Sequence, residues 1–211
     1  MRMARTLPSK VRATSIFSRM RYSPIPLLIA AGLLLAGCAQ RPLPKWEPPL
    51  ARTEFQQVRT TAYFDGESDH RAYTNHNALG TTLQTGLVNS AAADWGRWPA
   101  GTMFRILQTG QTYLVDDYGW ALAGRNTIDL YEPTREQMNC WGVRRVDIQI
   151  LQWGDLRQSY ATLLPRSRYR HVARMLHELR PQLSERRETS LAARTDVPPP
   201  VQLTPFLTQA R

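Results

Sequence analysis

The chain has 211 residues and carries 27 Lys and Arg against 17 Asp and Glu, a formal net charge of +10. That balance suggests nucleic acid or an anionic membrane, but residues 1–37 hold six bases and no acid, and residues 156–211 hold ten bases and four acids. Residues 55–155, the part best able to fold, hold eight bases and eleven acids, so no nucleic-acid partner is expected.

Taken in chain order, residues 25–37 form a thirteen-residue apolar run with basic residues upstream. A membrane-spanning helix needs about 20 apolar residues, so the run suits the core of a signal peptide over residues 1–37. It ends in Leu35-Ala36-Gly37-Cys38, which resembles the bacterial lipobox. That resemblance implies cleavage before Cys38 and lipidation of its thiol. Ala39, in place of Asp, resembles an outer-membrane address, facing the periplasm of a Gram-negative cell. Met20 is an alternative start. With Cys38 acylated, Cys140 has no partner in the chain and is expected to pack as a small apolar residue.

Residues 38–54 contain Pro42, Pro44, Pro48 and Pro49 and are expected to form an extended tether holding a domain off the membrane. Residues 55–154 suffice for one domain with its own core. Strands are expected over residues 58–64, 102–107, 113–115 and 127–131. Another is expected over 145–152, where Val146, Ile148 and Ile150 alternate with Asp147, Gln149 and Leu151. Thr134 and Gln137 form a capping-box pattern after Pro133, and Gly142 stops the short helix between them. The fold class is mainly β, a small barrel. Beyond Asp155 the pattern changes over residues 155–183. Val172, Met175, Leu176 and Leu179 recur at helical spacing, and Pro181 is expected to end that helix. Residues 184–211, rich in Arg, Ser, Thr and Pro, are expected to be disordered.

Three acids sit beside small or apolar residues: Asp94 after Ala91-Ala92-Ala93, Asp117 before Tyr118-Gly119, and Asp129 between Ile128 and Leu130. An acid among apolar strand residues is unfavourable unless it faces a cleft, a partner or solvent. Asp116 reads as a strand-end surface acid. Trp95, Trp98 and Trp120 suit either sugar stacking or the core. His70 and His76 lie in a long loop over residues 65–77, without the spacing of a metal site. No metal and no cofactor are expected.

Ala62-Tyr63, Ala78-Leu79-Gly80-Thr81-Thr82-Leu83, Ala93-Asp94, Pro99-Ala100-Gly101-Thr102, Asp116-Asp117-Tyr118-Gly119, Ile128-Asp129-Leu130-Tyr131, Trp141-Gly142 and Arg145-Val146-Asp147-Ile148 occur in this order. The series, over residues 58–152, resembles the three-aspartate (3D) domain, found in membrane-bound lytic transglycosylase A. The resemblance implies a six-stranded double-psi β-barrel acting on peptidoglycan glycan strands. It implies catalytic roles for Asp94, Asp117 and Asp129, with Asp129 the general acid and base. Thr81, Tyr118, Trp120 and Arg125 become candidate substrate contacts. Trp120 and Ala123 depart from the pattern, standing where a glycine and a lysine are usual, and Arg125 is the candidate replacement cation. A barrel that binds glycan without cutting it is the alternative.

Overall fold

The computed structural model describes residues 41–67 and 74–195. The apolar run, Cys38, His70 and residues 196–211 lie outside the described residues.

Six strands close into a barrel: β1 (Phe55–Tyr63), β2 (Val88–Ala92), β3 (Met103–Ile106), β4 (Thr112–Asp117), β5 (Thr127–Tyr131) and β6 (Arg144–Gln152). Their order around the wall is β1-β5-β2-β4-β3-β6. Two pairs, β1 with β5 and β2 with β4, run parallel, and the remaining pairs are antiparallel. The β6 alternation is realised, with Val146, Ile148 and Ile150 buried and Asp147 and Leu151 exposed. β1 starts earlier than its apolar pattern because Phe55 and Gln56 pair with Gln149 and Ile148 of β6. Thr134 caps α1 (Arg135–Trp141) by accepting from the Gln137 amide, and Gly142 ends the helix at φ 62°, a left-handed value that favours glycine.

The core corrects one set of sequence options. Trp95 and Trp98 are fully enclosed, and their indole N–H groups donate to the Asp117 carbonyl (2.9 Å) and Gln56 Oε1 (3.0 Å). Both are core residues. Cys140 runs against expectation and is exposed, because α1 fully buries none of its residues and meets the barrel through Trp141, whose indole donates to Thr60 Oγ1.

The helical extension is larger than its pattern. α2 (Leu156–Leu163) is capped by Asp155, whose carboxylate accepts from the Arg157 and Gln158 amides. α3 (Arg170–Thr195) runs through Pro181, so neither the expected stop at Pro181 nor disorder from Ser184 holds for the described residues. Proline inside a helix removes one hydrogen bond and costs about 3 kcal/mol. Here the Gln182 side chain donates to the carbonyls of Glu178 (2.9 Å) and Gly96 (2.7 Å), tying the helix to the barrel at that point. Val172, Met175, Leu176 and Leu179 share one continuous core with Val58, Phe104 and Ile148.

Residues 42–52 are extended, as the prolines require, but lie on the domain as a strap. Prolines leave carbonyls without the neighbouring N–H groups of regular structure, and side chains of the domain supply the donors. Arg174 donates to the Pro44 carbonyl, Arg97 to Glu47, Asn126 to Pro48 and Gln56 to Ala51. Among the described residues no helix is long and apolar enough to cross a membrane.

Candidate functional site

Ala92 organises the site. It pairs with Asp129 on its β5 side and with Asp117 on its β4 side, so the two acids flank it at one level of the wall. With strands about 4.8 Å apart, their Cα atoms lie roughly 10 Å from each other. Ala91, Ile128 and Leu130 belong to the interior core. Alternation then turns Ala92, Asp129 and Tyr131 to the other face of the wall. There Tyr63, Leu83, Ala92, Leu122 and Tyr131 form a second, smaller cluster. The candidate groove is this outer face, where Leu83 of the 77–83 turn and Leu122 of the 3-10 turn Trp120–Leu122 join the cluster.

Asp129 is half-buried, and Thr61, its β1 partner, donates a hydrogen bond to its Oδ1. Asp117 is buried. Its Oδ1 accepts from the amides of Tyr118 (2.8 Å) and Ala78 (3.1 Å), and its Oδ2 accepts from the Tyr63 hydroxyl at 3.4 Å. Burial, aided by the neighbouring charge of Asp116, pushes its carboxyl up to about 7 although the two amides oppose the shift. Tyr63 keeps its phenolic proton firmly, through burial and then the charges of Asp117, Asp116 and Asp129. Its ring rests 5.6 Å from that of Tyr131. This face thus gathers two acids and a hydroxyl, with Asp129 the part-exposed one, an arrangement able to give and accept a proton.

Asp116 is not the surface acid expected. The register shifts between Ala91 and Ala92, whose partners are Val115 and Asp117, and Asp116 is the extra residue of this bulge. The break in alternation buries Val115, Asp116 and Asp117 in succession. Ser90 Oγ (2.6 Å) and Asn77 Nδ2 (2.8 Å) donate to Asp116 Oδ2.

Asp94 is separated chemically from the groove. It is wholly buried, and its carboxylate accepts from the amides of Gly96 and Gly124, with Arg97 Nε 3.8 Å away. Burial and then the charge of Glu178 raise its carboxyl to about 7. Gly124 has φ +74°, and a Cβ there would meet Arg174 Nη1 at 2.9 Å, so glycine is required where the amide turns to Asp94. Arg97 in turn bonds Glu178, 3.4 Å away, and Asn126, and Trp46 of the strap donates to Glu178 Oε1 at 2.8 Å.

The other sequence candidates divide. Trp120 is half-buried on its turn, two residues before Leu122 of the groove cluster. Thr81 is exposed at the rim, its Oγ1 accepting from Asn77. Tyr118 lends Asp117 its amide. Its ring stands edge-on to Trp95 at 5.1 Å, and its hydroxyl accepts from Arg166. Arg125 is drawn away to the strap, 2.9 Å from Glu47 Oε1, an ionic contact without the alignment of a hydrogen bond. The resemblance suggests a place for it beside the acids, and a motif cannot show that Glu47 competes for it. Among the described residues no group of three His, Cys, Asp or Glu side chains is placed to hold a metal. Sequence reasoning missed Thr61 and the burial of Asp116; it placed Asn77-Ala78 on the cleft and Tyr63 in the Ala62-Tyr63 pair of the motif series, without their hydrogen-bonding roles. No protein-family model matches the chain, and no curated protein matches it.

Proposed function

We propose that the protein is a peptidoglycan lytic transglycosylase with a 3D-type double-psi barrel, anchored through lipid on Cys38 to the outer membrane and facing the periplasm. The observation that carries this reading is the register that sets Asp129 and Asp117 on either side of Ala92 at one level of the wall. A closed six-stranded wall with two parallel pairs supports the barrel type.

The reaction breaks the bond between N-acetylmuramic acid C1 and the oxygen linking it to N-acetylglucosamine. Asp129, half-open to the groove, protonates that oxygen as it leaves. The resulting carboxylate takes the proton of the muramoyl 6-hydroxyl, whose oxygen closes on C1 to give a 1,6-anhydro end. Water is not consumed, so a second carboxylate to activate it, as in inverting hydrolysis, is not required. Asp117 and Tyr63 act as hydrogen-bonding groups beside the reacting sugar. Asp94 supports the wall from a separate polar cluster.

Incubating the full chain with purified sacculi is expected to release anhydro-muropeptides, identified by mass. Absence of anhydro products from pH 4.5 to 8 would overturn the reading. A second reading, a glycan-binding barrel without catalysis, is favoured by one observation: Glu47 engages Arg125, the candidate replacement cation. It predicts co-sedimentation with sacculi and no released fragments.

A further inference from the structure

We propose that Asp116 is a positioning residue, which grips Asn77 and thereby seats the 77–83 turn so that the Ala78 amide reaches Asp117. The proposal rests on the reading of Asp117 as a member of the acid groove.

The path is continuous. Asp116 Oδ2 holds Asn77 Nδ2 at 2.8 Å, with Ser90 Oγ bracing the same oxygen at 2.6 Å. Asn77 then organises the turn by itself. Its Oδ1 accepts from the Leu79 (3.1 Å) and Thr81 (3.0 Å) amides, and its own amide donates to the Thr81 carbonyl at 2.9 Å. These bonds leave the intervening Ala78 amide pointing at Asp117 Oδ1, 3.1 Å away. Asn77 and Asp116 are both buried, so neither grip competes with water, and losing one partner strands the other. Asp116 Oδ1 is enclosed without a hydrogen bond. The amides of Ala91 and Asp116 lie near enough to favour its charge but not in bonding geometry. A residue whose sole function was to fill the bulge would be cheaper as an apolar side chain.

Among the described residues the charged and titratable groups around Asp117 are few. Asp116 lies beside it on β4, Tyr63 reaches it from β1, and Asp129 faces Tyr63 from β5. Arg166, from the 3-10 turn Leu164–Arg166, bonds the Ala78 carbonyl and the Tyr118 hydroxyl. Two substitutions separate grip from charge. Asp116→Asn retains an oxygen to hold Asn77 and removes the charge beside Asp117. Asn77→Ala retains the charge and removes the grip.

The test is amide hydrogen exchange of Ala78 at fixed pH, with the Asp117 titration midpoint followed by carboxyl NMR, both in the full chain. Asn77→Ala and Asp116→Leu are each expected to speed Ala78 exchange at least fivefold. The double variant should be no faster than the faster single, because both act along one path. Asp116→Asn should keep Ala78 exchange within fivefold of the parent and lower the Asp117 midpoint from about 7. Asn77→Ala should raise it. Ala78 exchange accelerated less than fivefold in Asn77→Ala would overturn the proposal, even if Asp116→Leu does not fold. So would additive effects in the double variant, or an Asp117 midpoint that stays or rises in Asp116→Asn. None of these readouts depends on glycan cleavage, so failure to release anhydro products would sink the proposed function and leave this inference standing or falling by itself.

Discussion

Asp94, two residues beyond β2, and Asp117, the last residue of β4, are both buried acids raised to about 7, yet their neighbours differ in kind. Around Asp94 stand a cation, two glycine amides and the end of a network reaching Glu178 and the strap. Around Asp117 stand a phenol, two amides and a second acid. The first set supplies a cation that offsets its acid; the second supplies none, which under the proposed function leaves an acid free to exchange its proton with substrate. Burial alone therefore does not mark a functional acid. Among the described residues, what sets Asp117 apart is burial without a compensating cation.

The largest effect on stability is expected in the locked cluster. Arg97→Ala leaves Asp94 and Glu178 facing each other without their shared cation, and breaking a buried pair costs about 3–5 kcal/mol. Chemical denaturation should show that loss, whereas Asp147→Ala, on an exposed position of β6, should stay within about 0.5 kcal/mol.

The comparison also predicts the pH response. Asp94 and Asp117 bind protons more tightly in the native chain than in the unfolded one, where an aspartate titrates near pH 3.9. Between about pH 4 and 7 the native state therefore holds protons that the unfolded state has released, and stability falls as pH rises through that window. Thermal melts should drop toward neutral pH by the equivalent of a few kcal/mol, since each tenfold difference in proton affinity between the two states is worth on the order of 1.4 kcal/mol. Asp117→Asn and Asp94→Asn should each flatten the profile. A profile that rises toward pH 7 would show that the two carboxyls are not raised.

Smaller effects test the periphery. Thr134→Ala removes the cap of α1 and should cost about 1 kcal/mol, measurable by denaturation and without effect on the groove. Cys140, exposed on that helix, should react stoichiometrically with a thiol reagent in the native protein, with no change in melting temperature. A thiol that reacts only after unfolding would restore the packed cysteine expected from sequence.

Much of the barrel was legible because its signals are local. β5 matches its expected range residue for residue, α1 carries its own cap and stop, and the buried stripe of α3 follows helical spacing. β2 left no such signal. Val88-Asn89-Ser90-Ala91-Ala92 lacks the β-branched run of a strand, and its small side chains make sense only between β4 and β5. Asp116 escapes a sequence reading because a bulge, invisible in composition, breaks the alternation on which its exposure is judged. Pro181 does not stop a helix held by packing on either side of it, and buried Leu179 with the Gln182 tie to the Gly96 carbonyl holds α3 there. The strap resembles a free tether in sequence since its proline content predicts extension correctly but carries no information on docking. The three aspartates were equally visible; their division into a locked residue and a groove pair depends on Arg97, Glu178 and Tyr63, brought in from distant parts of the chain.

The division is tested most directly by measuring anhydro-muropeptide release from sacculi by Asp129→Asn and Asp94→Asn side by side, each at matched folded fraction. The account predicts a fall of roughly a hundredfold or more for Asp129→Asn, as expected for loss of a general acid and base, and release within about threefold of the parent for Asp94→Asn. Full release by Asp129→Asn, or an equal loss in both variants, would contradict it.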